Sequence, residues 1–157
     1  MHVVVDVDGV VADGRERIKG NVNSFYVGME HDKPIWPMLD LVRAMYEYGF
    51  DITFLTNRPP TVIPITLKWL QDHLHKGTIA LTSANSVSRG SDAKLRYLES
   101  LERSPDFIIE DDPIIAEGMF KAGYKVLLFR YCPEWDAARK AAYMKFFPED
   151  YHEVVIP

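Results

Sequence analysis

Two aspartates, Asp6 and Asp8, end the β-branched run of "MHVVVDVDGVVADG", and Gly9 follows at once. A turn has no local need for two like charges beside Val3-Val4-Val5. Three further stretches end in groups able to do chemistry. "LTNRP" holds Thr56, Asn57 and Arg58; "SANSVSRGSDAK" holds Ser83, Arg89 and Lys94; "IIEDD" holds Glu110, Asp111 and Asp112. If these stretches converge, up to five carboxylates meet a hydroxyl, a lysine and one or two arginines. Carboxylates crowded in this way repel, and some must hold a proton unless a cation joins them. Hard oxygen donors suit Mg²⁺, which takes one or two carboxylates and completes its shell with water and phosphate oxygens. A cation beside a lysine and a threonine hydroxyl suits phosphoryl transfer, where positioning and electrostatics dominate. One carboxylate can be the nucleophile, and its neighbour two residues on can protonate the leaving oxygen and then activate water.

Convergence requires particular elements. "HVVVDV" (2–7), "DITFLT" (51–56), "TIALTS" (78–83), "PDFIIED" (105–111) and "YKVLLF" (124–129) read as strands. Between them lie helical patterns at 36–49, 59–77, 91–103 and 113–123, with another at 133–147. Pro37, Pro64 and Pro113 suit first turns, Thr61 and Ser91 or Asp92 are candidate N-caps, and Gly49, Gly77 and Gly123 are candidate stops. Alternation of this kind predicts a mostly parallel central sheet with helices on both faces, and ligands outside the carboxyl ends of its strands. Those ends are where the reactive groups lie. Residues 13–34 break the alternation; a connection that long suggests a small cap or flap, or a surface excursion with no role. No repeat, low-complexity stretch or linker divides the chain, so 1–157 is expected to be one domain, ending in a C-terminal helix and tail (133–157).

Bulk properties narrow the field. The chain has 157 residues, 47% hydrophobic and 26% charged, enough to bury a core. A net charge of −5 argues against a broad grip on duplex nucleic acid but not against a small basic pocket. A single cysteine, Cys132, allows no disulfide within the chain. With no signal-peptide pattern and no long apolar run, a cytoplasmic protein with no membrane partner is expected. His73 and His75 point different ways on a helix and make a poor metal pair. Trp69 and Trp135 read as helix-face packing. Phe25, Tyr26 and Trp36 suit either stacking a base or packing the 13–34 insert onto the core.

"DVDGV", "LTN", the lysine of "DAKLRYL" and "IIEDD" resemble, in order, the four motifs of the haloacid dehalogenase (HAD) superfamily of phosphatases, over residues 6–112. The resemblance implies an α/β, Rossmann-like HAD core with a small or absent cap, and a Mg²⁺ cofactor. It implies Asp6 as nucleophile, Asp8 as general acid/base, Thr56 binding the phosphoryl group and Lys94 neutralising it. Asp111, helped by Asp112, would hold Mg²⁺ with the Asp6 carboxylate and the Asp8 backbone carbonyl. Asn57, Arg58 and Arg89 are candidates for substrate binding. Within the superfamily the chain is similar to the 3′-phosphatase domain of phage-type polynucleotide kinase-phosphatases, through "PMLDLVRAMYEYGFDITFLTNRP", "TLKWLQDH" and "EDDPIIAEGMFKAGYKVLLF"; no GxxxxGK[ST] kinase loop is present. It also resembles 5′(3′)-deoxyribonucleotidases through "DVDGVVAD". The expected activity is Mg²⁺-dependent phosphomonoester hydrolysis, on a phosphorylated nucleic-acid end or on a nucleotide or other small metabolite. The alternative of another class is a HAD-fold binding module that has lost catalysis.

Overall fold

The structure is a computed structural model, described here for residues 1–18, 28–84 and 90–131, with the backbone alone for Ile18, Gly90, Ser91 and Asp92. Five strands form one parallel sheet: β1 (His2–Val5), β4 (Asp51–Thr56), β5 (Ala80–Ser83), β6 (Phe107–Glu110) and β7 (Val126–Leu128), in the order β5-β4-β1-β6-β7. The α/β, Rossmann-like expectation holds. The "VVV" run forms β1 because the central strand is covered on both faces, so every side chain must be apolar. Val3 and Val5 face a cluster with Ile52, Phe54 and Ile109, covered by Leu39, Val42 and Met45 of α2 (Trp36–Glu47) and Trp69, Leu70 and Leu74 of α3 (Ile63–Leu74). Val4 faces the other way, with Leu55 and Ile108, onto Ala93 and Leu98 of α4 (Gly90–Glu99) and Ile115 and Met119 of α5 (Pro113–Lys121).

The order of strands matters for the site. From β1 the chain moves outward to β4 and β5, then returns to the opposite side of β1 for β6 and β7. The reversal opens a crevice at the carboxyl ends of β1 and β6, where ligands bind in open parallel sheets. Asp6 and Asp111 lie at its two lips, tied by the Asp6 N–H donating to the Ile109 carbonyl at 2.9 Å.

The 13–34 insert carries more order than a loop. β2 (Ala12–Asp13) and β3 (Lys33–Pro34) pair antiparallel, so the excursion leaves and rejoins the core as a hairpin. A short α1 (Arg15–Ile18) and a 3₁₀ turn (Met29–His31) lie within it. The hairpin roots directly in the "DVDG" turn: the Gly9 N–H donates to the Ala12 carbonyl and the Ile35 N–H to the Val11 carbonyl, both at 2.9 Å.

Several local expectations are corrected. Thr61 is no N-cap: it lies inside a 3₁₀ turn (Pro60–Val62), because Pro59-Pro60 hold the chain before α3 begins. That helix ends at Leu74, with His75 in the left-handed conformation (φ 53°), two residues before Gly77. α4 starts at Gly90, ahead of both Ser91 and Asp92, and ends at Glu99 rather than 103. Asp112 is the cap that chemistry predicts for a carboxylate before Pro113; its Oδ1 accepts from the Ile114 and Ile115 N–H groups at 2.9 and 3.3 Å. The expected helix at 133–147 and the tail fall outside the described residues. No helix among the described residues is long and apolar enough to cross a membrane.

Candidate active site

Lys94 organises the centre of the site. It rises from the first turns of α4 and is 2% exposed. Its ammonium lies 2.8 Å from Asp6 Oδ1 and 2.7 Å from Glu110 Oε2. Burial works against the ammonium, but the Asp6 and Glu110 charges outweigh it and hold the Lys94 pKa above its ordinary value. Glu110 Oε1 accepts the backbone N–H groups of Asp111 and Asp112, each at 3.1 Å, so it also shapes the turn that presents Asp111. Glu110 is legible in the sequence as a strand-end carboxylate, through its place as the last residue of β6, but its contacts with Lys94 and with the turn are not.

Asp6, Glu110 and Asp111 each offer a carboxylate oxygen within 4.8 Å of the others. Asp6 is pushed up to about 7, first by burial and then by Glu110, with Lys94 opposing. Three buried carboxylates against one ammonium leave negative charge that a divalent cation would balance. The backbone makes room for such a group. Gly9 has φ +82°, and a Cβ on it would sit 1.8 Å from Asp111 Oδ2, so only glycine lets the Asp111 carboxylate come this close to the "DVDG" turn. The donor set is all hard oxygen, as Mg²⁺ prefers. Asp112 caps α5 beside this group.

One consequence is measurable in stability. A carboxyl with a raised folded-state pKa favours folding most below its unfolded value near 4, and that contribution is lost as pH rises through about 7. Bound Mg²⁺ opposes the loss by favouring the ionised form. Thermal unfolding with and without saturating Mg²⁺ should therefore show a larger rise in Tm at pH 8 than at pH 5. An equal rise at both would show that no bound cation acts on the Asp6 carboxyl.

Asp8 is held apart from Lys94 by a second network. Arg58 Nε and Nη2 donate to Asp8 Oδ2 and Oδ1 at 2.9 and 2.8 Å, and Arg17 Nη2 reaches Asp8 Oδ1 at 2.9 Å. Asp32 takes the other sides of both guanidiniums, from Arg58 Nη2 at 2.8 Å and from Arg17 Nε and Nη2 at 2.5 and 2.8 Å. Burial alone would raise Asp8; the two arginines reverse it and hold the carboxyl below its usual range. Arg58 is 1% exposed, and Thr66 Oγ1 accepts its Nη1 at 3.0 Å. The candidate substrate-binding Arg58 is thus engaged inside the protein. Arg17 and Asp32 both come from the insert, and no sequence motif marks them. Trp69 supports Asp32 from behind, its indole N–H donating to the Asp32 carbonyl at 3.0 Å.

Asp32→Asn should leave the two arginines to share Asp8 alone and let its carboxylate shift. We expect kcat to fall about 10²-fold, the order produced by an ångström of misplacement. Steady-state kinetics checks this, and an unchanged kcat would reduce the network to packing.

Thr56, the last residue of β4, is fully buried, and its Oγ1 accepts the Arg58 backbone N–H at 3.1 Å. Asn57 follows it at the same edge of the sheet. Asp6, Asp8, Thr56, Asn57, Arg58, Lys94, Asp111 and Asp112 therefore meet at one end of the sheet. Arg89, Phe25, Tyr26, Cys132 and Trp135 lie outside the described residues. Trp36 is half-exposed, with Arg43 5.4 Å above its ring and His73 6.0 Å away. His73 stacks on Trp69 at 4.1 Å.

The sequence matches no protein-family model and no curated protein. Solved structures do match. A chain of the Pnkp1/Rnl/Hen1 RNA repair complex superposes with a TM-score of 0.68 at 15% identity, over 83% of this chain and 42% of that one. The class C acid phosphatase from Bacillus anthracis superposes with a TM-score of 0.59 at 18% identity, over 94% of this chain and 73% of that one. At these identities the likeness is one of fold, the parallel α/β arrangement described above. The chain spans less than half the length of the RNA repair chain it resembles.

Proposed function

We propose that the chain is a Mg²⁺-dependent phosphomonoester hydrolase that forms an aspartyl-phosphate on Asp6, with 3′-phosphorylated nucleic-acid ends as its substrates. The observation that carries this reading is the pairing of two aspartates with opposite surroundings. Asp6 sits against Lys94 and the Glu110–Asp111 carboxylates, while Asp8 sits among guanidiniums. Asp8, held ionised by its arginines, is ready for the water-activating half-reaction, and Asp6, raised by burial, would be brought to its ionised, attacking form by a bound cation.

Asp6, Glu110 and Asp111 would hold Mg²⁺, which would supply positive charge to offset the negative charge of the phosphoryl group. An Asp6 oxygen attacks phosphorus and the bond to the leaving oxygen breaks. Asp8 gives its proton to that oxygen. Asp8 then takes a proton from a water that attacks the same phosphorus, the bond to Asp6 breaks, and inorganic phosphate leaves. Lys94 holds Asp6 in line and offsets the charge that gathers on the phosphoryl group. Thr56, whose oxygen already accepts the Arg58 N–H, has its own proton to donate to a phosphoryl oxygen. The ion pairs keep Asp8 ionised, the form that activates water, so its protonation is the demanding requirement of the first half-reaction.

The likeness to a chain of an RNA repair complex supports nucleic-acid ends as the substrate class. A free nucleotide is the second reading. It is favoured by the hairpin insert, which brings Arg17 onto Asp8 with Asp32 behind it and suits a small enclosed ligand. Phosphate release, with Mg²⁺ or with EDTA, from a 3′-phosphorylated oligonucleotide beside a panel of 3′- and 5′-mononucleotides separates the two. Mg²⁺-dependent release favouring the oligonucleotide is expected. Preference for a mononucleotide selects the nucleotidase reading, and no release from any phosphomonoester would leave a catalytically silent module.

A further inference from the structure

The sheet edge that carries Glu110 and Asp111 continues into an aromatic surface that the chemistry above does not use. The Phe129 N–H donates to the Glu110 carbonyl at 2.8 Å, which sets the end of β7 directly beside the acidic turn. Tyr131 follows two residues later, about 7 Å of extended chain. Its ring stacks on Phe129, with centroids 6.2 Å apart and planes 13° from parallel, yet it remains 44% exposed. Arg15, from the insert, places its guanidinium 5.8 Å from the Tyr131 centroid. Arg15 reaches this point from the other lip of the crevice, because β2 is bridged to Asp8 through Ala12.

Asp13 decides what this surface can bind. It grips Arg15 through four contacts: the backbone N–H at 3.1 Å, Nε at 2.8 and 2.9 Å, and Nη2 at 2.6 Å. Its hydrogen bonds from Arg15 overcome the effect of burial and hold its carboxyl below the usual range. A guanidinium already matched to a carboxylate is a weak hook for another phosphate. It remains a flat cation with a fixed orientation, and with Tyr131 it presents the kind of surface on which bases stack.

We propose that Tyr131 and Arg15 form a stacking platform for the nucleobase of the nucleotide whose phosphate enters the Asp6 site. The proposal rests on the phosphomonoesterase reading for the identity of that phosphate. It adds a base requirement and the residues that impose it. The shared ligand chemistry is a nucleobase one sugar away from a phosphomonoester, either free or at the end of a strand.

The test measures binding with hydrolysis blocked, in Asp6→Asn protein with Mg²⁺. Ligands are a 3′-phosphorylated single-stranded oligonucleotide, the same strand with an abasic 3′-terminal residue, a 3′-mononucleotide and ribose 3-phosphate. Adding Tyr131→Ala should weaken binding of a base-bearing ligand about tenfold and leave its abasic counterpart within twofold. Tyr131→Phe, which keeps the ring, should bind like the parent. Selective loss on the mononucleotide alone assigns the platform to free nucleotides; selective loss on the oligonucleotide assigns it to strand ends. Equal loss on base-bearing and abasic ligands, or no loss, or a parent protein that does not favour the base, overturns the platform. Phosphate release by the unaltered chain is scored separately. Its absence counts against the phosphatase reading, while the binding comparison still decides the platform.

Discussion

Asp6→Asn should lower phosphate release by at least about 10⁴-fold, the order of loss that follows deletion of a covalent nucleophile, and should do so in a protein that folds at least as well as the parent. The two halves of this expectation come from the same geometry. An amide oxygen cannot carry the phosphoryl group as a carboxylate does. It also removes one negative charge from a buried cluster in which Asp6 already faces Glu110 and is pushed up to about 7 by burial and that charge. Lys94 keeps Glu110 as a partner at 2.7 Å, so it is not stranded. Stopped-flow or end-point phosphate release gives the first half and thermal unfolding the second. Turnover within tenfold of the parent would end the covalent mechanism. A large fall in Tm would show that Asp6 contributes more through Lys94 than it opposes through Glu110.

Lys94→Met should do the opposite to stability and the same to activity. The methionine keeps most of the aliphatic stem but removes the one ammonium between Asp6 and Glu110. Two buried carboxylates, 7% and 1% exposed as residues, then lose their shared cation. Breaking a buried pair by deleting one partner costs about 3–5 kcal/mol, and we expect a loss of that order at pH 7.5 without divalent cation. Acidification toward pH 5 should return part of it by protonating the stranded carboxyls, and Mg²⁺ should return part of it by replacing the lost charge. Catalysis should fall about 10³-fold or more, since a preorganised cation opposite the phosphoryl charge has gone. Denaturant unfolding at two pH values with and without Mg²⁺, alongside phosphate release, covers every arm. A near-parental rate would remove Lys94 from the site.

Asp32→Asn and these two variants act on separate halves of the site. The Lys94–Asp6–Glu110 group and the Arg58–Asp8–Asp32–Arg17 group share no ion pair among the described residues. Their effects on stability should therefore add more nearly than their effects on turnover, which needs both groups in one reaction.

The sequence by itself determined the sheet and the edge at which chemistry gathers. Val3-Val4-Val5 can only be a strand covered on both faces, and the alternation with helices makes the sheet parallel. Parallel strands put their carboxyl ends together, so Asp6, Thr56 and Asp111 were legible as neighbours from their places after apolar runs. Lys94 was legible through its place in the motif series. These inferences work because strand direction and side-chain alternation are local properties that fix where a strand's last residues must point.

Pairing inside the site was decided only by the tertiary structure. Glu110, rather than Asp112, joins Asp6 and Asp111 in the buried carboxylate group, because the Asp112 side chain turns back to cap α5. Arg58 turns inward to Asp8 and Asp32. Arg17 and Asp32 are fifteen residues apart in an insert without periodicity, yet a hairpin of two-residue strands brings them together beside Asp8, with Arg17 bridging the two carboxylates. Tyr131 meets Arg15 from the far end of the described chain. Each of these contacts depends on where a long or charged side chain finds its counter-charge after the backbone has closed. That choice is made by burial and Coulomb energy among residues distant in sequence, which spacing along the chain does not encode.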